Sequence, residues 1–534
     1  MAIATHSAQA DVDTIVGLMC QSIEHTHSKR SQDALACLDE GVRLAPAFFP
    51  CRVARARLLA DMQRYDDALA DLNYVRRLVH LPDVEAGFTV IFDAAMASIS
   101  ARLSADGQDA AAYVQRAKVH EQALDSAAAL ADYERALRLG ANDGATHMAR
   151  ANILCESGRH ADAVAAYEHL LDLGRDNALA WYNRGNALQK LGRLGDAIDS
   201  YRRAVAIVPE FAEAWLEIAH CLLARGEHAE GWRMYEWRWQ TAQLAPTRLA
   251  SAQPQWSGQP GHTVLLWAEQ GLGDAIQFAR FIPRVVERAG RVVVRAPAVL
   301  HGLLSTLDPR ITILSDAEPP PPHDSHCPLM SLPLVLGITR DEQLSDQPYV
   351  SADAARGQAW QAQLGAWPQP QPHRAPRIGL CWAGRKAGAA RAYNPTRDIP
   401  LAALAPLAAL DAQFICLQQT YSGTEDELLA AWPNFAAIRQ GLETLADTAA
   451  LMSQLDLIIT VDTAVAHLAG ALGKPCWLLL RRSSEWRWRQ TGTTTPWYAS
   501  IRIFRQQTEG NWNDVVHKVA GSLIELWRQQ IKEP

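Results

Sequence analysis

The chain has 534 residues, 49% of them hydrophobic and 20% charged, with a formal net charge of −7. That length predicts roughly three or four domains, and the composition is that of a folded protein with a sizeable core. The acidic balance excludes a broad basic surface for nucleic acid. No apolar run approaches the ~20 residues of a membrane span. The N-terminal MAIATHSAQADVDT lacks a basic region ahead of an apolar core, so no secretory signal is expected. Nine scattered cysteines without a CxxC pair predict reduced thiols in a cytoplasmic protein and argue against a zinc site.

Residues 11–45 read as helical, an irregular cap. A weak repeat follows over about 46–78, centred on ARARLLADMQRYDDALADL, and LPDVEAGFTV (Leu81 to Val90) breaks the register. From 109 to 240 the sequence repeats itself at a spacing of 34 residues. Tyr133, Tyr167, Tyr201 and Tyr235 form one column. Ala117, Ala151, Gly185 and Ala219 form a second, and Ala129, Ala163, Ala197 and Gly231 a third. Gly158, Gly192 and Gly226 fall near the turn inside each helix pair. Small residues let paired helices approach, and the aromatic fills the gap to the next helix. This pattern resembles the tetratricopeptide repeat. The array is assigned to 1–245, and its concave surface is expected to bind a protein or peptide; a packing or dimerisation scaffold is the plainer alternative. Trp232, Trp237 and Trp239 end the last unit and are expected to dock onto the following domain.

QPQWSGQPGH (Gln253 to His262) reads as a linker. Thr263 to Trp267 is a strand run leading into GLGDAIQF. There Gly271, Gly273 and Asp274 make a strand-to-helix turn, with the helix running from Ala275 to about Ile282. Glycines at such a turn let a ligand approach the backbone, and a carboxylate there can act as a general base. Asp is also an ordinary helix N-cap. Strand runs at Val292 to Val294 and Ile311 to Leu314 continue the alternation, and Glu318 to His326 reads as a loop. Gln369 to Pro376 links this lobe, 256–365, to a second, 377–530.

The second lobe opens on the strand Arg377 to Trp382 and a basic loop carrying Arg385, Lys386, Arg391 and Arg397, which suits a diphosphate. Phe414 to Leu417 is a further strand, and Asp447 to Leu455 a helix. Then DLIITVDTAVAHLAGALGKP reads as strand, helix and strand. Leu457 to Val461 is a buried parallel run, Ala464 to Leu472 the helix, Gly473 its cap and Cys476 to Leu480 the next strand. Asp462 and Thr463 sit beyond the strand's carboxyl end, where ligands of open α/β sheets bind. The helix start favours phosphate, and His467 lies one turn along. Asp462 or Thr463 as a plain N-cap is the bland alternative. Trp486, Trp488, Trp497 and Tyr498 read mainly as core, and 512–530 as a terminal helix.

VDTAVAHLAGALGKP resembles the nucleotide-sugar motif of ADP-heptose-type glycosyltransferases, and GLGDAIQF resembles their N-lobe turn. EWRW and PWYAS are similar to bacterial proteins that join tetratricopeptide repeats to a GT-B glycosyltransferase. The layout is broadly similar to flagellin and O-linked N-acetylglucosamine glycosyltransferases. The resemblance implies an α plus α/β chain, a tetratricopeptide helical solenoid followed by a GT-B domain of two Rossmann-like lobes. It implies that Asp274 is the catalytic base and that Asp462, Thr463 and His467 contact the donor, with Gly271, Gly273, Arg385 and Lys386 beside it. The expected reaction is inverting and metal-independent. A nucleotide-sugar serves as donor substrate rather than cofactor, and the acceptor is a protein held by the repeats. Ala464 stands where the family has Gly, and NPTRD (Asn394 to Asp398) departs from the repeat-linked group's Arg-Ser ending. An inactive repeat scaffold is the rival reading, and a sugar-nucleotide epimerase of the same fold ranks third.

Overall fold

The computed structural model describes residues 2–174, 176–344, 348–366, 375–384, 397–420, 422–438 and 440–532. The chain forms two compact units, Met1–Leu188 and Gln189–Pro534. The first consists of antiparallel helix pairs such as Ala110–Gln122 with Ser126–Arg138, and Gly144–Glu156 with His160–Asp172. The columns read at 34-residue spacing are the buried ones: Ala117, Ala129, Ala151 and Ala163 are fully buried, and Tyr133 and Tyr167 are 1% exposed. Arg116 forks onto Asp132 at 2.7 and 2.6 Å, so the one buried carboxylate between these helices is paired.

Where the register breaks, the structure has one long helix, Pro82–Ala105. Its 24 residues, with a mean hydropathy of 1.3 over the best window, are long and apolar enough to cross a membrane, which the sequence reading did not anticipate. Here Val84, Phe88, Ile91, Ala95 and Ile99 are buried in a cluster with Leu72 and Ala112, as a solenoid helix packs.

The second unit begins inside the helix Ala178–Lys190 and therefore includes the last repeat helices, Leu194–Ile207, Ala212–Arg225 and His228–Tyr235. It holds two sheets. The first contains β1 (Thr263–Trp267), β2 (Arg291–Ala296), β3 (Thr312–Ser315) and β4 (Ser325–Pro328) in the order β3-β2-β1-β4. The second contains β5 (Arg377–Cys381), β6 (Gln413–Cys416), β7 (Phe435–Ala436), β8 (Leu457–Val461), β9 (Cys476–Leu480) and β10 (Ile501–Arg505), in the order β10-β9-β8-β5-β6-β7. Every pairing between these strands is parallel. Helices cross over between them, giving the two Rossmann-like lobes of a GT-B arrangement. Parallel strands are buried on both faces, which is why β8 and β9 read as unbroken apolar runs. The terminal helix Asn513–Lys532 seals one face of the second sheet with Val515, Val516, Val519 and Leu523.

Of the three tryptophans that end the last repeat, Trp232 and Trp239 dock onto the sheets' side as expected, Trp239 against Trp267, whereas Trp237 stacks on Trp215 of the preceding repeat helix. Trp232, 1% exposed, packs edge-on against Phe278 of the first lobe and against Trp486 and Trp497 of the second. Arg238 is fully buried and donates to Glu236, Glu269 and Ser331. Burial pushes the Glu269 carboxyl up to about 7 even with Arg238 beside it.

The turn glycines Gly158, Gly192 and Gly226 all have positive φ, between 74° and 84°. One repeat earlier the same column holds Leu124, at φ 61° and 79% exposed. A β-carbon in left-handed backbone costs about 1–2 kcal/mol, and this side chain buries nothing in return. Leu124→Gly is therefore expected to stabilise the chain by roughly 1 kcal/mol. Denaturant unfolding of the full chain checks this, and an unchanged or lowered midpoint would show that the turn carries no strain.

Candidate functional site

β8 ends at Val461, and Asp462 and Thr463 lead into the helix Ala464–Ala471. Thr463 holds the N-cap position in extended backbone but makes no side-chain cap. Its hydroxyl lies 3.1 Å from that of Thr460, a fully buried polar group on the strand. The first-turn N–H groups of Ala464 and Val465 consequently have no partner among the described residues. Both residues line a cavity of about 130 Å³ shared with Leu272, Cys381, Gln418 and Thr463. Open N–H groups at a helix start, next to a cavity beyond the strand ends, suit an anion.

Asp462 is 9% exposed. Burial pushes its carboxyl up, while Arg397 and Arg487 pull it the other way. The Arg397 Nε donates to the Asp462 carbonyl oxygen. His467 is 3% exposed, stacked on Trp488 at 5.1 Å between ring centroids, with Nδ1 3.0 Å from the Tyr498 hydroxyl. Burial, then the charges of Arg487, Arg280 and Arg397, hold this imidazole well below its ordinary value. It is a neutral ring in the wall behind the site.

The helix after β1 runs Leu272–Ala279, starting earlier than its apolar pattern suggests, with Gly271 as N-cap. Asp274 is the third residue of that helix, not its cap, and its Oδ2 accepts the Gly271 N–H at 3.0 Å. Gly273, in the first lobe, packs against the second. A β-carbon there would stand 2.8 Å from His467 Cδ2 and 3.5 Å from the Ala464 α-carbon. Glycine is thus required for the helix starts of the two lobes to meet, and their meeting brings Asp274, Asp462, Thr463 and His467 into one neighbourhood. Arg280, 3% exposed, fastens the same helix to the second lobe through the Trp497 carbonyl at 2.7 Å.

One residue that the sequence reading missed is central. Arg487 donates through Nη2 to Asp274 Oδ1 at 2.6 Å and through Nε to Gln277 Oε1 at 2.9 Å. Burial alone would lower its pKa, but Asp274, Glu485 and Asp462 outweigh it and raise that value. Its signal was present as EWRW, read for its aromatics, and those do pack: Trp486, Trp488, Trp497 and Tyr498 are all at most 6% exposed. Arg385, Lys386 and Arg391 lie outside the described residues. Among the described residues no three His, Cys, Asp or Glu side chains come together as a metal site.

A second cavity, about 290 Å³, adjoins this constellation. It lies between the repeat helix Ala212–Arg225 and the segment 481–490, and Glu217, His220, Glu485 and Trp486 line it. Arg489 fastens the two walls by donating to the Ala224 carbonyl at 2.9 Å.

A tetratricopeptide-repeat family model matches residues 114–178, 148–210 and 182–231. A glycosyltransferase family 9 (heptosyltransferase) model matches residues 427–520. Protein FlbA of Caulobacter vibrioides is 28% identical over 335 residues, 57% of this chain. The chain spans about half, 54%, of the length of that curated relative. Among solved structures, ADP-heptose LPS heptosyltransferase II of E. coli is 16% identical, over 50% of this chain and 99% of that one, with a TM-score of 0.35. MamA is 17% identical over 30% of this chain and 93% of its own, with a TM-score of 0.27.

The neutral state of His467 has a measurable consequence. In the unfolded chain this imidazole takes up a proton near pH 6.5, whereas in the folded chain it does so only well below that. Its contribution to stability is complete above pH 6.5 and is lost as pH falls toward the folded value. His467→Phe is expected to cost about 1 kcal/mol at neutral pH through the lost Tyr498 hydrogen bond and to flatten the decline of Tm below pH 6.5. Parallel Tm–pH curves for the two proteins would rule out a buried neutral imidazole.

Proposed function

Because the chain joins tetratricopeptide repeats to a C-terminal glycosyltransferase family 9 domain, we propose that it moves a sugar from a nucleotide-sugar to a hydroxyl of a protein or peptide acceptor. The reaction proceeds with inversion, without a metal and in the cytoplasm. The observation that carries this reading is the meeting at Gly273: a carboxylate on the first lobe stands beside an open helix start on the second.

Asp274 accepts the proton of the acceptor hydroxyl. The oxygen forms its bond to the anomeric carbon as the bond from that carbon to the diphosphate oxygen breaks, and the electron pair leaves with the diphosphate. The N–H groups of Ala464 and Val465, aimed where that charge develops, stabilise it without reorganising. Asp462 and Thr463 shape the donor cavity, and His467 supports the helix from behind. Arg385 and Lys386 belong to the donor side by their place after the first strand of the lobe. The acceptor approaches along the last repeat through the cavity at Glu217 and His220, whose wall includes Trp486, the chain neighbour of Arg487. A repeat scaffold with a silent glycosyltransferase domain is the competing reading, favoured by the ion pair that occupies Asp274.

A melting screen against UDP-, GDP-, ADP- and CMP-sugars separates the two. The enzyme reading expects one nucleotide to stabilise the protein, by about 2.7 kcal/mol at 100 times its Kd. Asp274→Asn is expected to show at least that shift while losing roughly 10²- to 10⁴-fold in transfer rate. Full transfer by this variant would remove Asp274 as the base, and no shift with any donor would favour the scaffold.

A further inference from the structure

We propose that Arg487 is a shared ligand. It holds the Asp274 carboxylate while the donor site is empty and turns to the donor's diphosphate when that site fills, freeing the base only in the donor complex. This rests on the glycosyltransferase reading above. Three observations carry it. First, among the described residues the guanidinium is bound on the first lobe by two groups, Asp274 Oδ1 at 2.6 Å and Gln277 Oε1 at 2.9 Å, although its own chain segment belongs to the second lobe. Second, its surroundings join both sites: Trp486 on one side lines the acceptor-side cavity, and Trp488 on the other stacks on His467, one turn into the helix whose start is open. Third, Gly273 brings that open start against the helix carrying Asp274, so the carboxylate and a bound diphosphate compete for one neighbourhood. Asp462 and Glu485 face the same guanidinium and remain beside it whichever partner it holds. Gln277 is fully buried, with an Nε2 that has no partner among the described residues, so it is a fixed post rather than a moving one.

A diphosphate carries more charge than one carboxylate and accepts a forked guanidinium through two oxygens. It therefore outcompetes Asp274 when present and leaves the carboxylate to the acceptor. Binding is consequently ordered, donor before acceptor, and the base is unavailable in the empty enzyme.

The test is titration calorimetry of the full chain with UDP, GDP and ADP. Arg487→Gln is expected to weaken the nucleotide that binds by about ten- to a hundredfold, with Arg487→Lys falling between it and the native protein. Asp274→Asn, nearly isosteric and so unthreatening to the fold, is expected to bind the same nucleotide roughly three- to tenfold more tightly, because the guanidinium is no longer held. In an Arg487→Gln background, Asp274→Asn should give no such gain. A gain that persists there would reflect simple removal of a negative charge and overturns the proposal, as does an unchanged affinity in the single Asp274→Asn variant. Failure of the native protein to bind any of the three removes the diphosphate-donor reading, and this inference with it.

Discussion

Two helices begin within van der Waals reach of each other, and the site exists because they do. Each belongs to a different sheet, each starts where a strand ends, and the approach is permitted by a glycine whose missing side chain leaves room for His467. Helix starts carry unsatisfied N–H groups and a partial positive charge. Bringing two together is unfavourable unless negative charge is supplied between them. Asp274 supplies one such charge and Asp462 another, and the guanidinium of Arg487 balances both. Without Gly273 the lobes would stand farther apart, and none of these groups would share a partner.

The surrounding wall is built to keep that geometry fixed. Gly470, inside the second of the two helices, leaves no room for a β-carbon, which would stand 2.3 Å from the Tyr498 ring. Tyr498 in turn holds His467, and His467 holds Trp488. Arg280 crosses from the first lobe to the backbone of the second. These contacts are short, buried and mostly between rings, so small displacements are resisted by packing. Against that stiff background, an arginine with more than one acidic neighbour is the part with somewhere else to go.

What could be read from the sequence follows from how far apart the partners lie along the chain. β8, its helix and β9 were legible because apolar runs, a cap and a second run are local signals. β9 matched its predicted limits, and Gly473 takes the left-handed backbone that the cap needs. The repeat columns were legible because 34-residue spacing writes tertiary packing into one dimension. β4, SHCP, went unread, its first two residues falling at the end of the loop Glu318 to His326, because an edge strand with serine, histidine and proline has no apolar pattern. β10, IRIFR, was hidden in a basic aromatic stretch. Arg487 was missed for a different reason: its meaning lies in Asp274, 213 positions earlier, and nothing local marks such a pair. Asp274, by contrast, announced itself through the glycines around it, although its place as third residue rather than cap came only from the backbone.

The boundary inside the helix Ala178–Lys190 also changes what counts as the smallest intact piece of this molecule. By motif, the repeats stop near 245 and the sheets begin near 256. By packing, the sheet-bearing half owns every helix from Leu194 onward. A chain trimmed at the motif boundary would lose Trp232 and uncover the faces of Phe278, Trp486 and Trp497 together, a continuous apolar patch prone to aggregation. It would also strip Arg238 from Glu269, leaving a buried carboxyl two residues before the Gly271 turn without its counter-charge. The last repeat is thus less an appendage of the sheet-bearing half than part of its foundation, and modular exchange of arrays between such proteins would have to cut upstream of it.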